Sequence, residues 1–375
     1  MKLLFDKIFI AHLFIAIFSV VAVIVQISDA IDDTTMNMYK ALCGLCCFVL
    51  AFIIGNCKLR GRILLYGGIM SALMAISIIY NGNARYVNLL WIWAYLGVTQ
   101  LVFEYGASRL LSQIIVYLGC LYFIYNSLFG DMVSAEILGH GSANNVSILC
   151  IYLLSIYFLS LKRVENSLPY IPTLLILFIS VWTANRSGII SAFIFFIFTF
   201  FINLKRSKTR KEKIVNYLVI GIIVTVAMYL SIRYIALIDE ALMYKLDRQG
   251  MESARSILWK EYLNGCFDSL GNFLFGVPSN TPVYPNLRYY EGNPHNSFLM
   301  LHSKFGLWGF LFIILSLGRC FIKVIRKKDY IILGLLIIIS VRAFFDWSAF
   351  PGLLDVLFWY FVLYNTFPKD QFSFK

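Results

Sequence analysis

The chain has 375 residues, 60% of them hydrophobic and 17% aromatic, with a mean hydropathy of +0.77. A water-soluble core cannot enclose that much apolar surface, so the composition excludes an ordinary globular enzyme and points to a bilayer. The formal net charge of +12 would suggest nucleic acid in a soluble protein. In a membrane protein it is the lysine and arginine excess of cytoplasmic loops, and no nucleic-acid partner is expected.

A spanning helix needs about 20 mostly apolar residues. Twelve segments qualify, with soft ends: 8–27, 39–55, 63–80, 86–103, 110–129, 143–161, 169–184, 188–204, 214–235, 297–318, 330–345 and 351–366. The first is long enough to span and lacks a small-residue cleavage site, so it reads as a helix and not as a signal peptide. Cys43 and Cys46 have redox-motif spacing but fall inside the second segment with no polar ligands near them. They read as membrane-helix residues. Of the eight Cys, Cys266 alone lies in a long polar loop, so no disulfide framework is expected.

The loops set the orientation. "KRSKTRKEK" at 205–213 has six basic residues in nine, and "RCFIKVIRKKD" at 319–329 has five more. Both are expected in the cytoplasm. Counting outward, the basic loops at 57–62, at Arg109 and at 162–163 also fall inside, and the acidic "SDAIDD" at 28–33 falls outside. The expectation is one integral membrane domain over 1–375, all-α, with about twelve spans and both termini cytoplasmic. About sixty residues, 236–296, then form an outer loop between the ninth and tenth helices. Loops of that length tend to be functional. No internal repeat is visible.

Polarity is out of position at three places. "WTANRSGII" puts Arg186 in a short outer hairpin, against the positive-inside trend. It reads either as a snorkelling helix-end residue or as a cation aimed at an anionic substrate. "ESARSILWKEYLNGCF" at 252–267 repeats Ala254, Ile257, Leu258, Tyr262, Leu263, Cys266 and Phe267 at helical spacing. That predicts an amphipathic helix on the membrane or on the bundle, capped by Ser253, with Arg255 in its first turn. An Arg there is either solvated or ligand-binding. In "NPHNSFLMLHSKFGLWG", Pro294 breaks the chain and His295 and Asn296 open the tenth helix, with Asn296 a natural cap. His295 is a structural residue or a general base able to take a proton from a hydroxyl. Gly306 and Gly309 allow close approach of a neighbouring helix, and His302 reads as structural. The four His are scattered, which argues against a metal site. No phosphate loop, nucleophile elbow or dinucleotide fingerprint appears.

His295-Asn296, nine residues, then Gly306-x-x-Gly309 resembles the signature of the O-antigen ligase and polymerase superfamily. "ANRSG" around Arg186 resembles that family's SRG hairpin, with Asn185 where the family usually has Ser or Thr. "ARSILWKEYLN…LFGVPSN" resembles its loop segment. The resemblance covers roughly 180–345. It implies a GT-C-like glycosyltransferase of the bacterial inner membrane, with its active site on the periplasmic face and neither metal nor other cofactor. The donor would be an undecaprenyl-diphosphate-linked glycan and the acceptor a second glycan, with a chain-length regulator as a further protein partner. It also implies that Arg186 and Arg255 hold the diphosphate and that His295 activates the acceptor hydroxyl. Asn296, Arg288 and Tyr290 are second-rank candidates for substrate contact. Arg342 either pairs with Asp346 or faces the same cavity. The first reading is a repeat-unit polymerase for O-antigen or capsule. The second is the ligase that moves the finished chain to lipid A core. The third is a lipid-linked-sugar flippase or transporter.

Overall fold

The computed structural model describes residues 2–27, 33–82, 86–129, 144–162, 167–183, 185–221, 225 and 254–367. Every regular element among the described residues is a helix. In chain order they are α1 (Lys2–Ile27), α2 (Asp33–Ile54), α3 (Cys57–Asn81), α4 (Val87–Tyr105), α5 (Arg109–Phe129), α6 (Asn144–Leu161), α7 (Tyr170–Trp182) and α8 (Arg186–Arg206). There follow α9 (Ala254–Phe267), α10 (Leu270–Phe275), α11 (Pro285–Tyr289), α12 (Ser297–Lys327), α13 (Tyr330–Phe345) and α14 (Asp355–Thr366).

Eight of these, α1 to α6, α8 and α12, are long and apolar enough to cross a membrane; α7 and α13 are apolar but shorter. This is the build of an all-α polytopic membrane protein. Most of the expected ninth span, and 236–253 of the outer loop, lie outside the described residues, as does the expected cap Ser253.

The packing is that of a bundle in lipid. α6 sits at the centre, with every residue from Val146 to Leu161 buried, while Ile53, Ile79, Leu110 and Leu118 point outward and exposed. In a bilayer such side chains meet lipid tails, and helices associate through close contact of small residues. α2 and α4 do this: a Cβ at Gly97 would overlap the Phe48 backbone, and one at Gly44 would overlap Ala94. α8 packs on α7 and α13, and α12 on α3, α13 and α14. This brings the start of α8, the start of α12 and the end of α13 to one end of the bundle.

Helix α9 differs from its expected apolar face. Leu258, Tyr262 and Cys266, spaced four apart, are buried with Val277, Tyr284 and Leu287 in a small core of the loop's own. Ile257, Leu263 and Phe267 are exposed instead. A single row of i, i+4 positions is enough to seat a short helix on a small core. The apolar stripe read from sequence was therefore broader than the buried one.

Candidate functional site

The chain enters α12 through a strained turn. His295 has φ +50, in the left-handed region that non-glycine residues rarely adopt. Four hydrogen bonds hold it there. The His295 amide donates to Asn293 Oδ1 at 2.8 Å, Trp259 Nε1 donates to the Pro294 carbonyl at 2.8 Å, and Asn296 Oδ1 accepts from the amides of Phe298 and Leu299 at 2.9 and 3.1 Å. Asn296 is thus the expected cap; it is buried and its oxygen is committed to the helix.

His295 Nδ1 lies 3.4 Å from Asp346 Oδ1. Asp346 follows the last residue of α13, and its other oxygen lies 3.2 Å from Arg342 Nη2, one turn back on that helix. Burial alone would raise the Asp346 carboxyl. The hydrogen bond from His295, with the positive charges of Arg342 and Arg255, outweighs it and holds the group below the usual carboxylate range. An ionised carboxylate only accepts. Nδ1 is therefore the donor, and in a neutral ring Nε2 carries the lone pair. With its side chain 25% exposed, the ring can be reached from outside.

Arg342 is wholly buried. Such a charge is tolerated only when paired and hydrogen-bonded. Besides Asp346, Nη1 donates to Ser187 Oγ at 2.9 Å, and Nη2 donates to the Asn144 carbonyl at 3.0 Å and to Ser147 Oγ at 3.3 Å. Asn185 closes the network. It caps α8 through the Gly188 amide, accepts from Ser187 Oγ at 2.9 Å and donates to Ser147 Oγ at 2.6 Å. A continuous polar chain thus runs from the His295 ring to the hairpin that presents Arg186.

Ser297 fixes α12 to the end of α13. Its Oγ donates to the Asp346 carbonyl at 2.8 Å and accepts from the amides of Ser348 and Ala349 at 2.9 and 3.1 Å. Glu261 of α9 accepts from the Leu287 amide at 2.7 Å, capping α11 and so placing the segment that carries Arg288 and Tyr290. The Tyr290 ring stands edge-on to His295, centroids 5.4 Å apart. Trp259 packs edge-on against Phe344 of α13 at 5.2 Å. His302 ties the loop to the bundle: Nε2 donates to the Phe273 carbonyl at 2.8 Å, leaving Nδ1 to accept from Tyr262 at 2.8 Å.

The sequence-derived residues are therefore distributed as follows. His295, Tyr290, Asn296 and Arg342 come together. Arg255 is half-buried in the first turn of α9, close enough for its charge to act on both Asp346 and Arg342. Arg186 is exposed one residue before Ser187. Neither guanidinium is committed to an ion pair among the described residues. Arg288 is exposed on α11. Arg342 takes the local pair with Asp346 and is enclosed. The link from Asp346 to His295 joins residues 51 apart in the chain, and no local feature of the sequence signals it. Gly306 was expected to admit a neighbouring helix. It has φ +65, interrupts α12, and admits the loop helix α10 instead: a Cβ there would overlap the Leu274 carbonyl.

The charged groups of this cluster are guanidiniums and one carboxylate, and no group of three His, Cys, Asp or Glu suited to a metal occurs among the described residues. Comparison with protein-family models, with curated proteins and with solved structures finds no match for the chain.

Proposed function

We propose that the chain is a bacterial inner-membrane glycosyltransferase that polymerises undecaprenyl-diphosphate-linked repeat units of O-antigen or capsular polysaccharide at the periplasmic face. The observation that carries this reading is the hydrogen-bonded line His295–Asp346–Arg342–Ser187. It joins a partly exposed imidazole to the Arg186 hairpin, with Arg255 alongside. An oriented base and two guanidiniums that form no ion pair among the described residues, at one end of a membrane bundle, suit transfer from a lipid diphosphate.

The chemistry follows from those groups. Nε2 of His295 takes the proton of the acceptor hydroxyl as its oxygen attacks the anomeric carbon. The bond from that carbon to the diphosphate oxygen breaks, and the electron pair leaves with the diphosphate. Arg186 and Arg255 stabilise the charge that develops there; the guanidinium fork matches phosphate oxygens. Attack opposite the leaving group inverts the anomeric centre. Asp346 is a positioning residue: it holds the His295 tautomer and is itself held by Arg342. The Asn185 departure from the family hairpin is consistent with this reading, because Ser, Thr and Asn are all good helix N-caps and Asn185 is used as one. The twelve-span count, the cytoplasmic termini and the GT-C-like relationship belong to the same proposal.

The test is sugar transfer by purified protein from a synthetic undecaprenyl-diphosphate repeat unit, read as a ladder on a gel, for wild type and His295→Ala. A ladder from the repeat unit alone, lost in the variant, supports the polymerase. Single-step transfer that needs lipid A core makes it the ligase. Binding of the lipid-linked donor with no transfer to either acceptor moves the assignment to a flippase or transporter.

A further inference from the structure

The opposite end of the bundle carries a second charged feature. α8 and α12 start beside His295 and end there, and α13 starts there. The 21 residues of α8 span roughly 30 Å at 1.5 Å per residue, the thickness of the hydrocarbon core of a bilayer. The two ends therefore lie at opposite headgroup levels.

At this far end a cavity of about 500 Å³ is lined by Lys162, Lys205, Arg206, Lys327, Lys328 and Asp329. Among the described residues that line it, five cations stand against one carboxylate, a formal surplus of four positive charges. The carboxylate is already engaged: Asp329 Oδ2 lies 2.7 Å from Lys162 Nζ and accepts from Tyr364 Oη at 2.9 Å. Lys205 lies over the Tyr330 ring and donates to its hydroxyl.

Basic residues near the ends of α8 and α12 have a plain explanation, since cations suit helix C-termini and cytoplasmic loops. That accounts for each residue singly. It does not account for their convergence from the ends of α6, α8 and α12 around one hollow, where like charges repel. A water molecule occupies about 30 Å³, so the space admits a phosphate together with its ester substituents.

We propose that this cavity binds a phosphate group, and that the phosphate belongs to an anionic membrane lipid. The lipid source follows from position: basic pockets between spanning helices at headgroup level suit anionic headgroups. The inference does not depend on the glycosyl-transfer reading.

The experiment titrates purified full-length protein in neutral detergent with phosphatidylglycerol, with phosphatidylcholine, and separately with inorganic phosphate and pyrophosphate. Bound ligand is read by native mass spectrometry. Lys205→Gln and Lys327→Gln are compared with wild type, both residues being exposed, and melting curves verify their folding. Saturable phosphatidylglycerol binding, weaker on the order of tenfold for each lysine removed, is expected; that is about one charge-assisted hydrogen bond per lysine. Phosphatidylcholine should bind at least tenfold more weakly. Phosphate or pyrophosphate binding with the same dependence on the lysines, and no phosphatidylglycerol binding, would overturn the lipid source. Equal affinity of wild type and variants for every ligand would overturn the site.

Discussion

His295 and Asp346 are 51 residues apart in the chain and meet Nδ1 to Oδ1 across 3.4 Å, one at the mouth of α12 and the other at the end of α13. If that contact orients a catalytic imidazole, Asp346→Asn presents the ring with an amide that can donate as well as accept. The tautomer is then no longer fixed. Replacing the orienting carboxylate by its amide lowers kcat by about 10⁴-fold in hydrolases that use the same device. A comparable fall is expected here, with little change in KM for the lipid-linked donor. A merely structural Asp346 would leave the shape of the pH–rate profile unchanged in whatever activity survives. A positioning Asp346 would move its limb.

Arg342 tests the buried network independently of activity. Arg342→Met removes the guanidinium that faces the buried Asp346 carboxylate, and breaking a buried pair from one side costs about 3–5 kcal/mol. The double variant with Asp346→Asn removes both charges and should lose less than the sum of the single losses. Thermal unfolding in detergent, for both singles and the double, measures the difference. Additive losses would mean that the two side chains act separately.

Arg186 and Arg255 should behave in the opposite way. Neither is committed to an ion pair among the described residues, so Arg186→Lys and Arg255→Lys should melt near wild type. If each guanidinium holds the donor diphosphate, kcat/KM for the donor should fall about 10–100-fold per substitution. Lysine keeps the charge but loses the fork. Steady-state transfer with varied donor checks this. Unchanged kinetics in both variants would remove the arginines from the site.

The eight helices of spanning length among the described residues were legible because apolar windows of this length leave few alternatives, and the Asn296 cap was legible because its neighbours are local. What could not be read depends on long-range approach. "VRAFFDW" announces an i, i+4 pair of Arg342 with Asp346, and nothing in it announces His295. Ser147 and Ser187 are small polar residues in apolar segments, and only the meeting of α6 with α8 makes them ligands for a guanidinium. The apolar spacing of α9 fits several faces, so spacing alone does not select the buried one. The buried row is chosen by Val277, Tyr284 and Leu287, which lie well downstream.

Gly306 gives a prediction about folding. Its φ of +65 disfavours any side chain, and a Cβ would press on the Leu274 carbonyl. Gly306→Ala should destabilise by about 1–3 kcal/mol, the usual cost of left-handed strain at a non-glycine residue plus the overlap. Because Gly306 seats α10 on α12, local opening should appear in 270–276 first. Hydrogen exchange of those amides reads it, with the amides of α6 as the internal control.

The last prediction concerns acid. Asp346 is held below the ordinary carboxylate value of about 3.9, so the folded state binds its proton less readily than the unfolded chain does. Its contribution to stability is therefore complete above the unfolded value and is lost as pH falls through the lower folded value. The difference in melting temperature between wild type and Asp346→Asn should stay constant from pH 7 to about 5. It should then shrink below about pH 4, as the wild-type carboxyl takes up its proton. A difference that stayed level to pH 2, or grew on acidification, would mean that Asp346 is not ionised in the folded protein. Nδ1 of His295 would then lose its obligatory role as donor, and the tautomer argument for Nε2 as the base would fall with it.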